Sequence, residues 1–160
     1  MRHRKRHSDD IVRVLFYCEN YGKNYKERRD ICISNIIPNP IARRVGDCAV
    51  RAVAKALDTD WESAFILLVT NAYAMGDMPS ADAVWSATLR QHNFSRKVLP
   101  DTCPDCYNAI DFMEDHPKGT YVLGFGGHVA TVVDGDLYDS WDSSMEIPQY
   151  YWYKKEEGEE

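Results

Sequence analysis

The sequence predicts an α+β fold in which a cysteine-bearing helix, and the helices after it, pack on a C-terminal antiparallel sheet. Three observations carry this. Gly46-Asp47-Cys48 opens a run of small apolar residues, Ala49 to Leu57, broken only by Arg51 and Lys55. Two further stretches, Thr59–Gly76 and Ser80–Leu89, repeat apolar residues at helical spacing. From Thr120 onward the chain turns β-branched and aromatic, punctuated by Gly126-Gly127 and by the hairpin signal Asp134-Gly135.

The chain of 160 residues is long enough for one domain with its own core. The expected division is a flexible basic arm at 1–10, a single domain at 11–154 and an acidic disordered tail at 155–160. No apolar run approaches the roughly 20 residues that span a bilayer, and the charged start lacks a signal-peptide core, so a cytoplasmic location without membrane contact is expected. Five cysteines, an odd number, fit reduced thiols better than a disulfide framework. A net charge of -6 argues against a general nucleic-acid binder.

Ile11–Cys18 reads as a strand, Glu19–Asp30 as a loop, and Ile31–Ile33 with Ile36–Ile37 as a returning strand ended by Pro38 and Pro40. In the helix that follows, Asp47 is the expected N-cap, placing Cys48 at the first helical position, where unpaired N–H groups and the helix dipole favour a thiolate. Thr59 to Glu62 fits a capping box, Trp61, Phe65, Leu68 and Ala72 are expected in the core, and Gly76 ends the helix. Ser80 can cap a third helix carrying Val84, Trp85 and Leu89. Phe94–Leu99 reads as a short strand. Cys103-Pro104-Asp105-Cys106 invites a zinc reading, but a structural site needs a second ligand pair and only Cys18 and Cys32 are left. Cys106 also falls in phase with Ala109, Ile110 and Met113, the core face of a helix starting near Pro104. Packing accounts for it, and no metal or cofactor is expected.

Four strands should follow, at Thr120–Phe125, His128–Val133, Asp136–Trp141 and Ile147–Tyr153. His128 opens the second of them, beside two glycines that leave room for its ring. A two-residue turn at Asp134-Gly135 pairs Val133 with Asp136, so that the numbers of facing residues sum to 269. His128 then lies opposite Trp141, and Asp139 points to the same face within side-chain reach. A three-residue loop would instead bring Asp142 opposite His128, which makes Asp142 the alternative acid. A Cys48–His128–Asp139 set has a direct chemical use. The imidazole takes the thiol proton, the carboxylate fixes the tautomer, the thiolate attacks a carbonyl, and the Cys48 backbone N–H helps to hold the oxyanion.

The motif Asp47-Cys48-Ala49 heading a helix, then helices, then a strand opening with His128 and a hairpin bearing Asp139, resembles the papain-like cysteine peptidases. The nearest likeness is to the bacteriocin-processing double-glycine peptidase group, and the run from Gly127-His128 to Trp141-Asp142 is also similar to small proteins of bacteria and their phages. The likeness spans roughly Val45 to Trp141. It implies a papain-like fold and a cysteine hydrolase of peptide or isopeptide bonds, with Cys48 as nucleophile, His128 as base and Asp139 as orienting acid. It implies a peptide or protein substrate and a thioester acyl-enzyme. Alternatives on the same scaffold are acyl transfer to an amine, or a binding module that inhibits a host or phage protein. Such enzymes usually carry a glutamine shortly before the cysteine as oxyanion donor, commonly six residues earlier; that position here is Ala42. Asn39, Arg43 or Arg44 would have to substitute, with Asn39 preferred as a neutral donor.

Overall fold

The computed structural model describes residues 34–35, 39–40, 45–100 and 106–155. The arm at 1–10, the strand expected at Ile11–Cys18, both parts of the returning strand and residues 156–160 of the tail lie outside them. The described elements are β1 (Ser34–Asn35), α1 (Cys48–Ala56), α2 (Trp61–Met75), α3 (Asp82–Gln91), β2 (Phe94–Val98), α4 (Ala109–Asp115), β3 (Thr120–Gly124), β4 (Val129–Val133), β5 (Asp136–Asp139) and β6 (Tyr150–Lys154). The strands form one sheet in the order β1-β5-β4-β3-β6-β2. This is an α+β architecture, but the sheet is neither wholly C-terminal nor wholly antiparallel. The two-residue β1 precedes the helices and runs parallel to β5, and β2 lies between α3 and α4.

The sheet is covered on both faces, which is why its central strands read as almost unbroken apolar runs. Side chains alternate along each strand. Val122, Val129 and Trp152 join α1, α2 and α3 in one core, while Leu123, Ala130, Val132 and Leu137 join α4 in the other. Helix α1 tolerates close packing because Ala49, Val50, Ala52, Val53, Ala54 and Ala56 are all small and buried. The Thr131 hydroxyl, itself buried in β4, donates to the Ala52 carbonyl of α1 at 2.9 Å and fixes helix against strand.

The helix ends differ from expectation in instructive ways. Asp47 occupies the N-cap position of α1, but its side chain makes no capping bond. Its carboxylate instead accepts from Arg51 Nε at 2.8 Å and Trp61 Nε1 at 3.0 Å, tying α1 to α2. Asp60, not Thr59, caps α2, accepting from the Ser63 N–H at 2.7 Å. The Thr59 N–H is already used to close α1, donating to the Ala54 carbonyl beyond a left-handed Asp58. Gly76 ends α2 in the left-handed conformation, as expected. Phe65 is 39% exposed, stacked against Trp61 rather than buried with Leu68 and Ala72.

Helix α3 begins after Ala81, without a side-chain cap, because the Met78–Ala81 turn carries the chain past Ser80 before the helix starts. Val84, Trp85 and Leu89 are buried as expected. Helix α4 begins not near Pro104 but at Ala109, where Asn108 and Asp111 form a capping box. Cys106 therefore precedes the helix and is exposed instead of lying on its core face.

Pairings at one end of the sheet fix the site. Gly124 of β3 sits between Val129 of β4 and Tyr150 of β6. Asn35 of β1 pairs with Asp139 of β5. The loop after β3, the start of β4, the end of β5 and the start of β6 thus share one edge, next to which α1 begins.

Candidate active site

The hairpin register is the one the two-residue turn requires. Val133 pairs with Asp136, Val132 with Leu137 and Thr131 with Tyr138, with Asp134 and Gly135 both at positive φ. Continued past the ladder, that register sets His128 opposite Trp141, and their rings lie 5.0 Å apart. It also brings Asp139 onto the imidazole: His128 Nε2–H donates to Asp139 Oδ2 at 2.7 Å. The His128 and Asp139 side chains are only 16% and 3% exposed, so the pair is largely withdrawn from water. The imidazole also stacks against Phe125 at 6.0 Å.

Cys48 is half-buried at the head of α1, and its thiol interacts with the His128 imidazole. With Nε2 committed to Asp139, Nδ1 is the ring nitrogen left for the sulfur. The backbone N–H groups of Val129 and Ala49 also point at the sulfur. Because Asp47 turns its carboxylate toward Arg51 and Trp61, it does not compete for the first N–H groups of α1, and the Ala49 N–H serves the thiolate instead.

These contacts set the charges. The His128 hydrogen bond holds the Cys48 thiol below the ordinary range, outweighing the opposing effect of burial, and the two backbone N–H groups add to it. For His128, burial is the largest influence and acts to lower the pKa. The hydrogen bonds to Asp139 and Cys48, with their negative charge, overcome it and raise the imidazole to about 9. The pair is thereby biased toward a thiolate facing an imidazolium, and its two groups titrate together.

The carboxylate that completes the relay is itself clamped. Asp139 Oδ1 accepts the Ser140 N–H at 2.5 Å, and Oδ2 accepts the Ser143 hydroxyl. Ser143 is fully buried. Neither serine was singled out by sequence reasoning, although Ser140-Trp141-Asp142-Ser143-Ser144 is a dense run of side chains suited to capping a carboxylate. Asp142, the alternative acid, is not the partner of His128. The two-residue turn sends it away; Asp142 is exposed, and its Oδ1 accepts the Ser144 N–H at 3.0 Å. Asn39 is 8% exposed and lies four residues beyond Asn35, the partner of Asp139. Arg43 and Arg44 fall outside the described residues.

The division of labour between the two acids gives a direct expectation. Asp139→Asn should lower the His128 pKa from about 9, since the negative charge is lost while burial remains. Asp142→Asn should leave it in place. A proton-NMR titration of His128 reads both, and an equal fall in the two variants would contradict the geometry.

Among the described residues no group of three or more His, Cys, Asp and Glu side chains is placed to hold a metal ion. No helix among them is long and apolar enough to cross a membrane. Comparison with protein-family profiles, curated proteins and solved structures gave no match for this chain.

Proposed function

We propose that this chain is a cysteine hydrolase of peptide or isopeptide bonds, built on a papain-like scaffold and working in the cytoplasm. The observation that supports it most is the continuous relay from the Cys48 sulfur through His128 to Asp139, at the head of a helix whose cap leaves the first N–H groups available. The Cys48 thiolate attacks the carbonyl carbon of the scissile bond, and the electron pair moves onto oxygen. The Cys48 N–H and the Asn39 side-chain amide hold that oxyanion. His128, as imidazolium, gives its proton to the leaving amine, and the C–N bond breaks to leave a thioester on Cys48. His128, now neutral, takes a proton from water. The resulting hydroxide attacks the thioester, releases the acid and restores the thiolate–imidazolium pair.

The energetic reason for a buried, doubly supported Asp139 is orientation. A carboxylate free to rotate would let the imidazole turn its nitrogens away from the sulfur. The Ser140 and Ser143 contacts remove that freedom before substrate arrives.

The test is mass-spectrometric labelling with a peptidyl electrophile, comparing wild type, Cys48→Ala and His128→Ala. The adduct is expected on Cys48 in wild type and on no residue in Cys48→Ala, with little in His128→Ala. Equal, slow labelling of Cys48 and Cys106 in wild type would reject a hydrolase. Product formation that depends on an added amine would move the assignment to acyl transfer.

A further inference from the structure

A cleft of about 360 Å³ opens between α3, β2 and the start of β6, lined among others by Asp82, Ser86, Arg90, Arg96 and Tyr150. Its size is at the lower end of the roughly 300–1,000 Å³ usual for ligand sites. Two guanidinium groups converge on it, each lying over an aromatic ring: Arg96 over Tyr150 at 3.9 Å and Arg90 over Trp152 at 5.0 Å. Stacking uses the face of a guanidinium and leaves its N–H edge free to donate. Among the described residues neither arginine is paired with a carboxylate, the ion pairs there being Arg51–Asp47 and His128–Asp139. Two guanidiniums stacked on rings beside one cavity suit a negative group, with Asp82 the one carboxylate of its lining. Asp82 stands apart from them in role: its Oδ1 accepts the Trp85 indole N–H at 3.1 Å.

The cleft is joined to the candidate active site through Tyr150. Tyr150, Gly124 and Val129 lie side by side on β6, β3 and β4, and the Tyr150 ring occupies the space a Cβ on Gly124 would need. The Val129 N–H faces the Cys48 sulfur. Two strand spacings, roughly 10 Å, therefore separate Tyr150 from the level of the thiol, a span of about three extended residues.

We infer that this cleft is a recognition subsite for an acidic side chain of the substrate, about three residues from the bond attacked. The carboxylate is received by the N–H edges of Arg90 and Arg96, and Asp82 accepts a backbone N–H of the same residue. This deepens the reading of the chain as a peptide hydrolase and rests on it.

The test uses the whole chain with Cys48→Ala, so that binding is read without turnover. N-acetyl-glutamate N′-methylamide, its glutamine counterpart and inorganic phosphate are titrated separately, following the arginine Nε–H resonances by NMR. The glutamate compound is expected to shift Arg90 and Arg96 saturably and the glutamine compound to leave them in place. Arg90→Gln and Arg96→Gln should each weaken binding by about tenfold, the loss of one charge-assisted contact, with circular dichroism unchanged. An equal response to the glutamine compound, undiminished affinity in both variants, or phosphate binding as tightly as glutamate would each overturn the inference. Because no hydrolysis is involved, failure here is separable from failure of the labelling experiment.

Discussion

His128→Ala is expected to slow alkylation of Cys48 by iodoacetamide at pH 6 by about two orders of magnitude. The largest influence lowering the Cys48 pKa is its hydrogen bond to His128; once that is gone, burial is left to act and raises it. A thiol with a pKa of about 8.5 is roughly 0.3% ionised at pH 6, and a buried one less. In wild type the rate should climb at lower pH than for an ordinary thiol, because the thiolate forms earlier. Hydrolysis should add a second limb, falling above about pH 9 as His128 loses the proton that the leaving amine needs. Rates measured from pH 5 to 10 on both proteins would check the sign at each limb. A His128→Ala profile superimposable on wild type would remove the basis for the relay.

The second large effect is on stability. Trp152 is fully buried at the centre of β6, edge-on to Trp85 at 6.2 Å and beneath the Arg90 guanidinium. Trp152→Ala empties that space and should cost about 3–5 kcal/mol. Yet among the described residues the indole Nε1 of Trp152 has no hydrogen-bond partner. A buried, unpaired N–H costs about 1–3 kcal/mol, so Trp152→Phe, which removes it, offsets much of the packing it loses. Urea denaturation should place the Phe variant within about 1.5 kcal/mol of wild type, far from the Ala variant. Similar losses in both would mean that the N–H is worth keeping.

The most specific feature legible from sequence was the hairpin. Asp134-Gly135 demands positive φ at two successive residues, which leaves a single register, and parity then selects Asp139 over Asp142 without knowledge of any other contact. Cys48 could be placed because a glycine, an acid and a row of small residues mark a helix start. What could not be read were choices among equivalent local partners. Thr59 and Asp60 can both cap α2, and the decision falls to the closing turn of α1, which uses up the Thr59 N–H. Asp47 is a good cap by type, but a buried indole and a guanidinium from other turns compete for it successfully. Phe65 has the spacing of a core residue, yet α2 lies on the outer side of α1, so part of an apolar helix stays exposed. Ser143 has no periodic signal at all; its role exists only once the loop after β5 folds back, with the Ala109 N–H of α4 donating to the Glu146 carbonyl.

The bond between Thr131 and Ala52 has a consequence for the newly made chain. It joins residues 79 positions apart, and it fastens the helix bearing Cys48 to the strand that follows His128. The β4–β5 hairpin is local and can pair early, with His128 and Asp139 already facing each other. The sulfur has neither the imidazole nor the Val129 N–H until α1 docks across that long separation. Until then Cys48 is an ordinary thiol, mostly protonated at neutral pH and slow to react. Reactivity toward electrophiles is therefore withheld from the ribosome-bound and unfolded chain and switched on by completion of the fold, which makes the rate of Cys48 alkylation a measure of the fraction of molecules that have reached the native state.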